Sequence, residues 1–318
     1  DIPGFRVLHT GIGGQGNLGD TATSLACCAY LKNRVSRHPF LMVASFLQPH
    51  DICEWLRINM NNPAEPPYPE LDGELPPLPE NFTFVSDEPT DIVETRQRCE
   101  PAEGGWTERQ WRYYRWSYYR HVEMVDGEID RLLRTLDECG LTENTLVLLT
   151  SDHGEGMGHH QNVRKSLPYD EAAKVPFIVS WPGTVRENIV DQEHLVSGVD
   201  IVPTLCAFAG IAPPPQMRGT NLRGLLARDS GPANEFVVSE MPGNDGRVLR
   251  TKRYKYVTYA GDKKVLFFDM EKDPGETVNL SADPAHAEAL AQHRRMLAAW
   301  EAKLEYEPEV PNQEAFRA

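Results

Sequence analysis

With 318 residues, 40% of them hydrophobic and 25% charged, the chain is long enough to bury a large core and has the composition of an ordinary globular protein. The net charge of −15 argues against nucleic acid or an anionic membrane as the main partner, because both favour a basic footprint. With that charge, an anionic substrate would have to be met by a local group of cations and a metal; no apolar run approaches the roughly 20 residues of a membrane helix.

The first segment is glycine-rich. Gly11, Gly13 and Gly16 match the spacing of a dinucleotide fingerprint, but no acidic residue stands at a strand end about 20 positions on, and the simpler reading is a loop. Residues 21–33 predict a helix with Ala22, Leu25, Cys28 and Ala29 inward. Residues 39–47 read as a buried strand ending on Gln48, Pro49, His50 and Asp51. The proline- and acid-rich stretch 61–89 predicts an extended loop. A long helix follows over 107–139, with Thr107 as N-cap, Gly140 as stop, and Val122, Val125, Ile129, Leu132, Leu133 and Leu136 on one buried face. The Trp, Tyr and Arg residues of its first half read as core packing with snorkelling arginines rather than as a carbohydrate or nucleic-acid surface. Six cysteines (Cys27, Cys28, Cys53, Cys99, Cys139, Cys206) show neither CxxC spacing nor a zinc pattern and leave the redox compartment open.

The densest chemistry lies in 145–183. An apolar run at 146–149 predicts a strand buried on both faces, and Asp152 and His153 stand where a parallel strand would finish. Open α/β sheets bind ligands beyond such carboxyl ends. A polar loop carries Glu155, His159, His160, Arg164 and Lys165, and a second strand, 175–181, stops at Pro182 and Gly183. Residues 194–210 predict a short strand and a helix ending at Gly210. Polar Gly/Pro content near 229–233 marks a boundary, after which short strands at 235–239, 247–251, 254–259 and 265–269 predict an antiparallel meander, closed by a helix over 284–304. Sequons occur at Asn81 and Asn279.

In combination these residues resemble the C-terminal part of type I sulfatases, in the alkaline phosphatase superfamily. The similarity rests on Ser151-Asp152-His153-Gly154, Gly158-His159-His160, Lys165, Tyr169-Asp170-Glu171, Val175-Pro176-Phe177-Ile178 and Pro182-Gly183, and upstream on Pro49-His50 closing an apolar run. It extends roughly from Thr21 to Leu280. The resemblance implies an α/β fold: a central mixed β-sheet flanked by helices, over 1–230, and a smaller C-terminal antiparallel sheet with a helix, over 231–318. It implies a sulfuric ester hydrolase acting on a sulfated sugar or polysaccharide, with Lys165 and His50 catalytic, Asp152 and His153 ligands of Ca2+ or another divalent cation such as Mg2+, and His159, His160 and Arg164 at the substrate. A periplasmic or secreted location goes with the family. The family's formylglycine nucleophile arises in a Cys/Ser-x-Pro-x-Arg motif that no Cys or Ser of this sequence matches, so the nucleophile is expected outside this chain. A phosphonate or phosphate ester hydrolase of the same superfamily, or an inactive sulfatase-like binding protein, are the alternative readings.

Overall fold

The computed structural model describes residues 5–8, 15–36, 38–60, 69–99, 105–241 and 246–304. Gly11 and Gly13 of the glycine motif lie outside them. The first helix, α1 (Gly16–Lys32), starts earlier than expected and turns a different face inward. Leu25 is exposed, while Asp20, Ser24, Cys27, Cys28 and Leu31 are buried. The reason lies in its neighbour, α4 (Glu108–Glu138), whose adjoining face is polar. Thr21 Oγ1 donates to Glu128 (2.8 Å), Arg131 donates to Ser24 Oγ (3.1 Å) and Thr135 Oγ1 to Cys28 Sγ (3.2 Å). Hydroxyl and thiol groups therefore face α4; of the expected stripe Cys28 is buried there, whereas Leu25 and Ala29 are exposed.

Helix α4 begins with a capping box: the Gln110 N–H donates to Thr107 Oγ1 (3.3 Å) and the Thr107 N–H to Gln110 Oε1 (2.8 Å). It ends at Gly140, whose φ of +65° suits the left-handed C′ position. Its burial is concentrated in the first half, where Trp111, Tyr114, Arg115 and Ser117 are covered. Trp111 and Tyr114 form a cluster with Trp106, Val163 and the Ile52 and Leu56 side chains of α2 (Ile52–Asn59). The buried face expected in the second half is corrected: Val122 and Leu133 are exposed, and Leu136 is covered.

Strands β1 (Val147–Thr150) and β2 (Phe177–Ser180) pair antiparallel, with Leu148 opposite Val179. The parallel, doubly buried strand expected at 146–149 is thus replaced by a half-buried one, and Ile178 of β2 is 56% exposed. Residues 39–47 form no strand among the described residues. They keep the two-residue alternation of an extended chain, with Leu41 and Val43 exposed, but neither edge enters a ladder. Among its described residues, 69–89, the proline-rich loop forms a 3₁₀ turn at Pro69–Gly73 and leads into α3 (Thr90–Cys99).

The C-terminal meander follows the expectation. After α5 (Asp170–Ala173), α6 (Ile201–Ala209) and α7 (Arg223–Arg228), strands β3 (Phe236–Glu240), β4 (Arg247–Thr251), β5 (Tyr254–Thr258) and β6 (Leu266–Asp269) pair in sequence order. Its two faces fill two cores. Leu249, Tyr256 and Phe267 meet Leu290 and Leu297 of α8 (Ala287–Glu301). Val248, Val257, Leu266 and Phe268 meet Val85, Ile92, Leu167 and Tyr169. Each such side chain contributes about 1.5–3 kcal/mol by burial. The second contact matters for function, because it braces the segment that follows the polar loop of 151–166. Among the described residues no helix is long and apolar enough to cross a membrane.

Candidate active site

The polar loop leaves β1 at Ser151. Asp152 projects into solvent, with its Oδ2 3.4 Å from His153 Nε2. Partial burial works to raise the Asp152 carboxyl, but the His153 charge and hydrogen bonds from the His153 N–H (3.0 Å) and Ser151 hold it below the usual range. His153 Nδ1 lies 2.9 Å from the Gly154 carbonyl, which can only accept, so Nδ1 carries a proton.

From there the loop is stitched to its surroundings. The Gly154 N–H donates to Ala172 O (2.8 Å) and the Glu155 N–H to Glu171 O (3.0 Å). A Cβ on Gly154 would stand 1.9 Å from the Glu171 carbonyl oxygen, so only glycine permits this approach. The Gly156 and Gly158 N–H groups donate to Arg164 O and Asn162 O (2.7 and 2.8 Å), folding the loop back on itself. Met157, His160, Gln161, Arg164 and Ser166 all have positive φ. Such residues cost on the order of 1–3 kcal/mol each and persist where tertiary contacts impose them. Here Arg115 Nη1 donates to Met157 O (2.6 Å) and the His160 N–H to Asn81 O (2.9 Å).

This path brings Lys165 Nζ to 3.2 Å from Nδ1 of His50, a residue 115 positions away. Ammonium has only donors, so Nδ1 is the acceptor and the His50 proton sits on Nε2. Beneath them lies Glu155, 6% exposed, which accepts from Tyr114 Oη (2.6 Å). Burial pushes its carboxyl up against that hydrogen bond and against the charges of Lys165 and His153, both of which reach it. The two pairs, Lys165–His50 and Asp152–His153, therefore share one electrostatic neighbourhood. Arg164 Nε is buried without a hydrogen-bond partner among the described residues.

The two histidines of the loop have different surroundings. His159 is partly exposed, and its Nδ1 lies 2.6 Å from Asn81 Oδ1 and 2.9 Å from Glu171 Oε1. His160 is fully buried and stacks on Tyr169 with ring centroids 3.8 Å apart. His160, expected at the substrate, has its ring buried in the core among the described residues. Asn81 ties the group together. Its Nδ2 donates to Glu171 Oε1 and Gly275 O, both at 3.0 Å, and lies 3.2 Å from His160 Nε2. Sequence reasoning missed Asn81 and gave no role to Glu171, which it read only as part of Tyr169-Asp170-Glu171; the one signal at Asn81, a sequon, points to a surface that a 4% exposed side chain does not have. At the other sequon, Asn279 Oδ1 accepts from the Phe267 N–H (3.1 Å) and is likewise engaged inside the fold.

Burial lowers the His160 pKa to about 4, while an unfolded histidine titrates near 6.5. Burial works to raise Glu171, but His159 and Asn81 bring it down to about 2. Both groups bind fewer protons folded than unfolded. Their contribution is full above the unfolded values and is lost as pH falls, first through the window from about 6.5 to 4 for His160, then from about 4.5 to 2 for Glu171. We expect stability to drop on acidification below pH 6.5, by up to roughly 3 kcal/mol from His160. His160→Phe, which keeps the stack on Tyr169, should flatten the melting temperature between pH 6.5 and 4.5; an unchanged slope would remove His160 as its source.

Among the described residues no three His, Cys, Asp or Glu side chains converge as a metal-binding group. Asp152 and His153 Nε2 suit a divalent cation as part of a ligand set, but calcium takes about 6–8 oxygens and two donors, one of them nitrogen, do not make that site.

Comparison with known proteins identifies the family. The family model described as Sulfatase matches residues 18–211, and that of N-sulphoglucosamine sulphohydrolase, C-terminal, matches 158–303. The chain belongs to the sulfatase family, whose members generally use a divalent metal. It is 35% identical over 295 residues to a Delta 4,5-hexuronate-2-O-sulfatase of Bacteroides thetaiotaomicron, covering 87% of this chain and 60% of that protein. It is 29% identical over 278 residues to an arylsulfatase of Clostridium perfringens, covering 84% of this chain and 54% of that one. A solved structure of a 2-O GAG sulfatase superposes with a TM-score of 0.82 at 32% identity, over 92% of this chain and 65% of that chain. The chain thus spans 54–60% of the length of these two curated relatives.

Proposed function

We propose that this protein hydrolyses sulfate esters of a sulfated carbohydrate, and that a 2-O-sulfated hexuronate is the first substrate to test. The observation that carries the reading is the 3.2 Å contact between Lys165 Nζ and His50 Nδ1. The Lys165 ammonium offsets negative charge on the transferring sulfuryl group. It also fixes the His50 tautomer, so that the Nε2 proton is available to the sugar oxygen as its bond to sulfur breaks. Water supplies the hydroxyl overall, giving the free alcohol and hydrogen sulfate. His159, held by Asn81 and Glu171, and Arg164 bind the substrate. Formylglycine as nucleophile and Ca2+ or Mg2+ as metal belong to the same proposal: Asp152 and His153 would hold the metal together with ligands from outside the described residues, and it would supply Lewis acidity toward a sulfate oxygen. A periplasmic or secreted location, which the family resemblance implies, belongs to the same proposal.

The test is sulfate release, followed by ion chromatography, from unsaturated 2-O-sulfated disaccharides and a panel of other sulfated sugars. Metal-dependent release is expected, and Asp152→Ala should abolish it. Activity of Asp152→Ala equal to the parent would reject the ligand role, and turnover of phosphate or phosphonate esters offered in parallel, with no sulfate released from the sulfated sugars, would replace the reading by the related ester hydrolase.

A further inference from the structure

The turn carrying His50 is joined to α1 by two carboxylates that serve each other's segments. Asp20, on α1, accepts the backbone N–H groups of Leu47 (2.6 Å) and Gln48 (2.8 Å). Asp51, on the turn, accepts the N–H groups of Gly16 (3.1 Å) and Asn17 (3.0 Å), the first residues of α1, which have no partner inside the helix. Gln48 Nε2 braces Asp51 Oδ2 at 2.6 Å. Asp20 and Asp51 are 3% and 7% exposed, and among the described residues neither faces a basic side chain at ion-pair distance. The fit is close: a Cβ on Gly16 would lie 2.8 Å from Gln48 Cγ and 3.0 Å from Asp20 Oδ2. Burying two carboxylates without a cation is a poor way to gain stability, since apolar residues hold two segments together at lower desolvation cost. What charge-assisted bonds supply is direction. Five of them converge on residues 47–51, and His50 is the one side chain of that turn that reaches Lys165.

We infer that Asp20 and Asp51 are positioning residues that set the His50 ring against Lys165. The inference rests on the reading of His50 as the proton donor. With one acceptor oxygen replaced by an amide, Asp51→Asn loses one backbone bond and sets donor against donor. A shift of about 1 Å at a reacting group costs on the order of 100-fold.

The experiment is a double-mutant cycle on the active, metal-loaded protein, using sulfate release from the substrate found in the panel. In the parent, Asp51→Asn should lower kcat by roughly 10- to 100-fold with KM changed by less than about threefold. On a His50→Ala background the same change should cost less than about twofold, because the residue it positions is gone. Circular dichroism and melting temperature check the fold, and Asp20→Asn, which should behave alike, replaces Asp51→Asn if the latter fails to fold. Equal losses in both backgrounds would mark the carboxylates as merely structural and overturn the inference. If His50→Ala itself leaves turnover unchanged, the underlying assignment of His50 fails instead, a distinguishable result.

Discussion

Lys165→Ala is expected to lower kcat by on the order of 100-fold or more, with a smaller change in KM. The substitution removes a cation and, with it, the donor that fixes the proton of His50 on Nε2. Both losses act on the transferring sulfuryl group and the departing sugar oxygen more than on the bound ester, so the effect belongs in kcat. Lys165→Arg should not restore it, because a planar guanidinium on a longer stem does not reproduce a point charge 3.2 Å from an imidazole nitrogen. Steady-state kinetics on the substrate identified by sulfate release would decide the matter. A loss below about tenfold would make Lys165 a bystander.

The largest effect on stability is expected from Lys255→Met. Lys255, 1% exposed on β5, donates to Asp170 Oδ1 (2.7 Å) and lies 2.6 Å from Glu276 Oε1. Glu276, equally buried, accepts the Asp170 N–H at 2.6 Å. Removing the lysine leaves two carboxylates facing each other, and breaking a buried pair costs about 3–5 kcal/mol. The loss should depend on pH. Burial already pushes Glu276 up to about 7 despite Lys255, and without the lysine it rises further. A carboxyl raised on folding adds stability that is complete below its unfolded value and is lost as pH rises through the folded one. The penalty of Lys255→Met should therefore be greatest near pH 8 and shrink toward pH 5. Denaturant unfolding at the two pH values tests this, and an identical loss at both would refute the titration of Glu276. Because Asp170 opens α5 and Glu171 holds His159, the same variant should loosen the loop of the site.

The parts of the fold legible in the sequence were those whose signals are local. The meander could be read because alternation and tight turns are written within each strand pair, and α4 because Thr107, Gln110 and Gly140 mark its ends. Helix α3 was not legible. Its residues are mostly polar, and what anchors it is Ile92 in a core shared with a distant sheet. The strand expected at 39–47 has the right alternation, but a strand is completed by a partner, and none of the described residues supplies one. At the site, the family resemblance singled out Lys165 and His50, which lie in contact, and Asp152 and His153, which lie side by side. It could not tell His159 from His160, because which of two adjacent rings is buried depends on Tyr169 and Asn81. Asn81 itself carries no local mark of its task, since its partners stand 78 to 194 positions away.

The burial of Asn81 bears on how the protein is produced. Oligosaccharyl transfer acts on a chain as it emerges, before the core closes, and it reads only the tripeptide. A glycan placed on Asn81 has no exit from a site that already holds His159, His160, Glu171 and Gly275. Export through a glycosylating secretory route would therefore set modification in competition with folding. A host that leaves the Asn81 amide bare, or a change of Thr83 that erases the tripeptide while keeping Asn81, avoids that conflict.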